Sequence, residues 1–223
     1  MKKSLLLFIP MLICLTGCQE FKIGIDYDKY SSGLDKSLSS QNQNDTLGEY
    51  HLFGGDVFDT AETTSVEITF GGFTENLSNI TDIELLNSYI TCSEEGFFTS
   101  VESPKNIGVK KDNGLFVGAD SKYTDGVLGF VFSKNIKYVK VTASPYYYIN
   151  TAWNEDTPVV DEPVGISLDN SHYVPLVTSL DEAGQVKDTD CKFDVSNKSE
   201  DKNKISLRVK QKRAILKKIT LYY

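Results

Sequence analysis

Residues 204–221 read KISLRVKQKRAILKKITL. The apolar side chains of this stretch alternate at Ile205, Leu207 and Val209 and again at Ile215, Ile219 and Leu221, with Lys217 between Ile215 and Ile219. Successive side chains of a β-strand point to opposite faces, so this alternation places the apolar residues of each strand on one face. The stretch therefore predicts two successive strands, each with one buried face and one face of Lys, Arg, Ser and Thr turned to water.

The same alternation recurs upstream, beginning at about residue 47. Its clearest sets are Val66, Ile68 and Phe70, then Leu128, Phe130 and Phe132, then Val139, Val141 and Ala143. Weaker strand candidates are residues 97–101, 115–117, 165–168, 173–177 and 192–195, and only residues 77–86 are ambiguous between helix and strand. About ten short strands in a region of ordinary domain size predict an all-β fold, a β-sandwich of two packed sheets.

The sandwich is expected to span residues 47–223 as one domain. No Pro/Ser-rich linker divides this region, which favours a single core. Two tightly abutting halves, residues 47–110 and 111–223, are the alternative.

Two segments of this region resemble a known class of module. Residues 126–147, GVLGFVFSKNIKYVKVTASPYY, are similar to a strand pair of the galactose-binding-like jelly-roll modules of bacterial surface proteins. The stretch 204–223 resembles the final strand pair of those modules. The resemblance covers about residues 114–223, and it implies a jelly-roll-like sandwich, carbohydrate binding and a structural calcium ion.

The first residues have the layout of an export signal. Lys2 and Lys3 precede an apolar run over residues 5–15, which is shorter than the ~20 residues that span a bilayer. The run ends in Leu-Thr-Gly-Cys at residues 15–18, which resembles the lipobox of bacterial lipoproteins. This implies cleavage after Gly17, lipidation of Cys18 with fatty acids such as palmitate, and an extracytoplasmic protein held to the membrane or cell envelope by that lipid.

Residues 1–17 are thus predicted to be a signal peptide, and residues 18–46 a lipidated start followed by a tether. Nine of the fourteen residues from 31 to 44 are Ser, Gln or Asn, with little to bury, which is typical of a flexible linker.

The charge balance excludes one class of partner. The chain has 23 basic and 31 acidic side chains, and loss of Lys2 and Lys3 with the signal leaves 21 − 31 = −10 on the mature protein. An acidic surface repels phosphate backbones, so no nucleic-acid partner is expected.

Two cysteines remain when Cys14 leaves with the signal and Cys18 is lipidated. Cys92 and Cys191 are 191 − 92 = 99 residues apart. An oxidising compartment permits a disulfide between them. Two separate buried thiols are the equally weighted alternative.

The densest aromatic cluster is the candidate ligand-binding site. Tyr146, Tyr147 and Tyr148 are followed by Trp153, and Asn150, Asn154, Glu155 and Asp156 stand among them. Aromatic faces stack on sugar rings while such polar neighbours bind hydroxyls. The alternative is structural, with Tyr146 and Tyr148 in the core, Tyr147 on the surface and Trp153 capping the core.

Other chemistry has little support in the sequence. The acidic loops considered for calcium are Glu155-Asp156, Asp161-Glu162 and Asp188 with Asp190. They lack an Asp-x-Asp-x-Asp-Gly pattern, so a solvated acidic rim is favoured over a cation site. His51 and His172 have no ligand at metal-binding spacing, and no cofactor or metal is expected. Catalytic motifs such as Gly-x-Ser-x-Gly are missing, so no enzymatic activity is expected.

The first functional hypothesis is a lipid-anchored binding or adhesion module of the cell envelope that recognises glycans. The alternative is a structural or assembly lipoprotein that contacts other envelope proteins and binds no small ligand.

Overall fold

The computed structural model describes residues 49–51 (backbone only), 60–120, 124–149 and 158–223. The predicted signal peptide, Cys18 and the tether lie outside this part of the chain, as does Trp153. Its strands are β1 (Glu49–His51), β2 (Ser65–Phe70), β3 (Ile90–Cys92), β4 (Phe98–Lys105), β5 (Ile107–Lys110), β6 (Gly114–Gly118), β7 (Gly126–Phe132), β8 (Tyr138–Pro145), β9 (Tyr147–Ile149), β10 (Pro158–Val160), β11 (Gly165–Ser167), β12 (Val174–Pro175), β13 (Thr189–Asp194), β14 (Lys204–Lys210) and β15 (Arg213–Tyr222). A short helix, α1 (Ile83–Ser88), lies between β2 and β3.

The strands form two large sheets, which confirms the predicted all-β sandwich. Sheet A has the order β1-β13-β8-β15-β2-β3, with β6 also pairing with β15 and β5 pairing with β6. Sheet B has the order β12-β11-β14-β7-β4. Consecutive strands often belong to different sheets. The chain passes from sheet B to sheet A between β7 and β8, from A to B between β13 and β14, and back to A between β14 and β15. Within the described residues, strands before residue 110 pair with strands after it in both sheets: β2 with β15 in sheet A, and β4 with β7 in sheet B.

The core lies between the sheets and is built from the alternating positions read in the sequence. Ile205, Leu207 and Val209 of β14 are buried, and the residues between them are half-buried. The other strongly alternating strands bury Val66, Ile68, Leu128, Phe130, Phe132, Val139, Val141 and Ala143. All the weaker strand candidates also contain strands. The sequence missed β1, β3, β5, β9 and β10, which are three or four residues long and too short for a period to show.

One position in the last strand differs from the prediction. The pairing of β15 with β8 shifts register between Leu216 and Lys218, which marks a β-bulge at Lys217. An extra residue reverses the side-chain alternation, so Ala214 and Leu216 share the core face with Ile219 and Leu221. Ile215 instead faces outward, into a second apolar cluster. Placing Ile215 on the same face as Ile219 was therefore wrong.

The ambiguous stretch over residues 77–86 divides between two structures. Leu77 forms an antiparallel bridge with Val109, whereas α1 begins after Asp82, whose Oδ1 accepts a hydrogen bond from the Leu85 backbone N–H at 3.1 Å. Beside the helix runs β4, the last strand of sheet B, and the Asn87 amide oxygen accepts from the Val101 N–H of β4 at 3.0 Å. The helix thus covers an edge that would otherwise be open to pairing.

The two cysteines are free thiols in the structure. Cys191 lies in β13 and Cys92 in β3, and three strands of sheet A separate them. Four strand spacings amount to about 19 Å, whereas a disulfide requires Cα atoms within about 7 Å. The disulfide alternative therefore does not fit this fold. Cys191 is fully buried, and burial raises the pKa of its thiol, while Cys92 is only partly buried.

None of the helices in the described residues is long and apolar enough to cross a membrane.

Candidate ligand-binding cleft

The described part of the predicted aromatic cluster, Tyr146 to Tyr148, lies on the outer face of sheet A, the face turned away from sheet B. Tyr146 follows β8 and begins the arm, a hairpin in which β9 pairs antiparallel with β10. Tyr146 is buried against Phe116 and Ile215 in the second apolar cluster. The Tyr146 and Phe116 rings meet edge to face with centroids 5.5 Å apart. The Phe116 ring lies over Gly108 of the neighbouring strand, where a Cβ would overlap it. A glycine at this position lets the ring lie flat on the sheet.

Arg213 contacts the residues at both ends of the hairpin, Tyr146 and Asp161. Its guanidinium carbon lies 3.9 Å from the centre of the Tyr146 ring. Arg213 Nε donates to Asp161 Oδ2 at 2.7 Å, and Nη2 pairs with Asp120 Oδ1 at 2.7 Å. Burial opposes the charged guanidinium, but the hydrogen bond and charge of Asp161, helped by Asp120, raise the pKa of Arg213 above its ordinary value.

Backbone hydrogen bonds join the same residues. The Tyr146 N–H donates to the Arg213 carbonyl and the Asp161 N–H donates to the Tyr146 carbonyl, both at 2.8 Å. Because Tyr146 precedes β9 and Asp161 follows β10, both ends of the hairpin are fixed to β15 through Arg213.

The three tyrosines have different environments. Tyr146 is 6% exposed, Tyr147 is half-buried against the second apolar cluster, and Tyr148 is 46% exposed. The structural alternative put Tyr146 and Tyr148 in the core and Tyr147 on the surface. Tyr146 is buried and Tyr147 is half-buried, but Tyr148 is exposed, so the alternative was wrong for Tyr148. Tyr146 lies between β8 and β9, so the side chains of Tyr146 and Tyr148 do not share a strand face as a spacing of two would predict. Tyr148 faces solvent beside its cross-strand partner Val159, which is also exposed.

A cleft of about 230 Å³ opens between the hairpin and the turn that joins β5 to β6. Its lining combines aromatic, apolar, amide and charged side chains: Asn76, Lys110, Asp112, Asn113, Tyr146, Tyr148 and Ile149. The volume is below the ~300–1,000 Å³ of typical drug-sized ligand sites, so the cleft suits a small group such as a single ring.

The polar wall of the cleft is partly fixed by hydrogen bonds. The Asn113 side-chain amide donates to the Tyr147 carbonyl at 2.6 Å, which ties the β5–β6 turn to the hairpin. Asn76 Oδ1 accepts from the Lys111 backbone N–H at 2.9 Å. Within the described residues, no ion pair joins Lys110 or Asp112 to a partner. Both charged groups are therefore available to a ligand.

Sequence reasoning found only two of these lining residues, Tyr146 and Tyr148. The Asp112-Asn113-Gly114 tripeptide was the available signal, because it is typical of a turn that presents polar side chains. That this turn lies beside the hairpin follows only from the pairing of β6 with β15 and from the fixed base of the arm. Trp153, with Asn150, Asn154, Glu155 and Asp156, lies in residues 150–157, outside the described residues, so its predicted contact stays a prediction.

The acidic residues considered for calcium are dispersed. Asp161 is engaged by Arg213, and Asp190 accepts from the Thr142 hydroxyl at 2.6 Å and lies 3.6 Å from Lys140 Nζ. Across the described ranges, no group of three His, Cys, Asp or Glu side chains is placed to hold a metal ion.

His172 belongs to a hydrogen-bonded loop rather than to a catalytic triad. Its Nδ1 lies 2.6 Å from Asp169 Oδ2 and 2.8 Å from Ser171 Oγ. In a Ser-His-Asp triad the serine and the carboxylate bind different ring nitrogens, so this geometry does not relay a proton between them. Burial works against the Asp169 carboxylate, yet hydrogen bonds from His172 and Ser171 hold the pKa of Asp169 well below its ordinary value.

Comparisons with known proteins add little beyond the fold. No protein-family model and no curated protein matches the chain. A solved structure described as "CBM4 structure and function" is similar over 53% of this chain and 72% of its own, with 11% sequence identity and a TM-score of 0.25. This weak structural neighbour is a carbohydrate-binding module. At that TM-score the similarity carries no argument about the site, which rests on its own geometry.

Proposed function

We propose that this chain is a lipid-anchored cell-envelope protein whose β-sandwich binds carbohydrate in the cleft beside Tyr148. The observation that supports this most is the combination in one small cleft of a solvent-facing tyrosine ring with an amide, a carboxylate and an ammonium group. The flat ring offers an apolar face to the C–H groups of a sugar. Asn113, Asp112 and Lys110 offer partners for its hydroxyl groups.

Tyr148→Ala is expected to weaken glycan binding about tenfold or more, because it removes the stacking surface without touching the core. Tyr148→Phe keeps the ring and should bind nearly as well as the native chain. Ile83→Ala, which truncates an equally exposed apolar side chain on α1, is the matched control and should change nothing. The measurement is a glycan array with residues 45–223, followed by calorimetric titration of the best ligand.

A Tyr148→Ala protein that is folded and binds as before would move the site elsewhere. A native chain that binds no glycan would favour the alternative role. The observation behind that alternative is that Tyr148, Ile149 and Val159, all exposed and apolar, lie on one hairpin. Such a patch also fits contact with another envelope protein.

Lipid anchoring is proposed from the Leu-Thr-Gly-Cys motif at residues 15–18. Cys18→Ala is expected to abolish incorporation of labelled fatty acid and to leave an unprocessed or untethered protein, since the thiol is the acylation site. Cys92→Ala serves as a control that removes a different thiol and should keep the label. Label that persists in the Cys18→Ala protein would contradict the proposal.

A further inference from the structure

The outer face of sheet B carries positive charge although the chain is acidic overall. Ile205, Leu207 and Val209 of β14 point into the core, so Lys204, Ser206, Arg208 and Lys210 lie on the opposite face. Two strands away, Lys105 of β4 pairs with Val127, and Val127 pairs with Arg208. Lys105 therefore lies on the same face, in one row with Arg208.

The charges of this face do not cancel. The strands place four cations (Lys105, Lys204, Arg208 and Lys210) and one carboxylate, Glu102, on it, so its net charge is 4 − 1 = +3, against −8 for the whole chain. Glu102 is engaged with Lys204 at 3.4 Å. Other carboxylates lie just beyond the strand ends. Asp125 directly precedes β7, and Asp169, two residues after β11, is held by Ser171 and His172 in its own loop.

The other three cations, Lys105, Arg208 and Lys210, are not neutralised by an ion pair among the described residues. In the part of the chain that the structure describes, no carboxylate pairs with Lys105, Arg208 or Lys210. Lys210 Nζ lies 4.6 Å from the centre of the Tyr173 ring, a contact that orients the ammonium group without neutralising it.

Three of the four cations lie along β14, and the fourth, Lys105, lies to the side of Arg208. At about 3.4 Å per residue, Arg208 and Lys210 are about 7 Å apart along β14, and Lys204 is about 14 Å from Arg208. Two strand spacings separate Lys105 from Arg208 by about 10 Å. The line of cations along β14 matches an extended polymer with regularly spaced anionic groups. A guanidinium such as that of Arg208 binds carboxylates through two parallel hydrogen bonds.

The apolar surface of the molecule lies elsewhere. The exposed large apolar side chains among the described residues are Ile83 on α1 and Tyr148, Ile149 and Val159 on the β9–β10 hairpin. Peripheral binding to a membrane gains from burying apolar side chains as well as from charge. A basic face without such side chains is better suited to a soluble polyanion than to a lipid surface.

We propose that the outer face of sheet B, along β14 with Lys105 beside it, binds an anionic polysaccharide that carries carboxylate groups along its chain. This surface is separate from the cleft beside Tyr148, and the proposal does not depend on the cleft binding a sugar.

The test uses the mature chain from residue 18, with Cys18→Ala so that no lipid anchor contributes, and polygalacturonate as the probe. Binding is expected at low ionic strength, falling steeply as salt screens the charges. The double variant Arg208→Gln/Lys210→Gln should weaken it about tenfold or more, because two charge-assisted contacts are lost. Lys111→Gln/Lys187→Gln removes the same charge from two exposed lysines off this face and should leave binding within about twofold.

Three results would overturn the proposal: no binding of polygalacturonate at low salt, equal weakening by both double variants, or binding to phosphatidylglycerol vesicles without binding to the polysaccharide. Tyr148→Ala keeps the two proposals distinguishable. It should not change polygalacturonate binding, so failure of the cleft to bind sugar leaves this test intact.

Discussion

Ile219→Asp is expected to prevent folding of the β-sandwich. Ile219 is 0% exposed, in the middle of β15, and its neighbours across the strands are Val141 and Ile68. A carboxylate there has no partner and loses its hydration, which costs at least about 4 kcal/mol and approaches the whole stability of a typical domain. Denaturant unfolding followed by circular dichroism would measure the loss. A folded Ile219→Asp protein with near-native stability would contradict the register of β15.

Thr220, the neighbouring residue, provides the control, and here the structure differs from the prediction made from the sequence. The alternation predicts that Thr220 faces water, but Thr220 is only 5% exposed, and among the described residues its hydroxyl has no hydrogen-bond partner. It lies on the outer face between Lys140 and Glu67, in the centre of a wide sheet whose long side chains cover it. Thr220→Val keeps the shape and removes the buried hydroxyl, so it should be neutral or stabilising by about 1 kcal/mol.

Arg213→Met is expected to cost about 3–5 kcal/mol and also to weaken binding in the cleft. The Arg213 and Asp161 side chains are 14% and 9% exposed, and removing one partner of such a pair leaves the other charge buried without compensation. The hairpin loses its attachment to β15 at the same time, so Tyr148 is no longer held beside Asn113. Thermal unfolding and glycan titration would measure the two effects.

The double variant Arg213→Met/Asp161→Asn separates two effects of Arg213: compensation of the buried Asp161 charge and attachment of the hairpin to β15. Removing both charges should recover part of the stability lost in Arg213→Met, since no uncompensated carboxylate remains. Glycan binding should stay weak, because the hairpin is still unfixed. Recovery of binding together with stability would show that Arg213 acts only through the stability of the fold. An Arg213→Met protein as stable as the native chain would contradict the buried ion pair itself.

The local pattern of the sequence accounts for the class of fold and for most of the core. In β14 the alternation of Ile205, Leu207 and Val209 with polar residues is sufficient to predict which side chains are buried. The reason is that the order of residues along a strand alone decides which of them share a face. The same holds for β2, β7 and β8. The alternation is broken at the Lys217 bulge, where a lysine stands at a position that the pattern assigns to the apolar face. This mark was not used, and the face of Ile215 was assigned wrongly.

The candidate site could be predicted only in part. Three consecutive tyrosines marked the right segment, but not which ring is buried and which is free. That depends on Arg213, 67 residues after Tyr146 in the chain, and on Phe116 lying over Gly108. The polar wall of the cleft, at Lys110 to Asn113, is likewise distant in sequence from the tyrosines that face it.

By itself, the sequence determined that this is an all-β protein with alternating strands, an acidic overall charge and a tyrosine cluster at the end of β8. Only the tertiary structure decided that Tyr148 faces solvent beside Asn113, that three strands separate Cys92 from Cys191, and that the cations of β14 and β4 share a face. The physical reason is that strand faces are set by neighbours in the chain. Sheet order, bulges and the cross-strand rows that assemble a surface are instead set by pairing between residues that are remote in sequence.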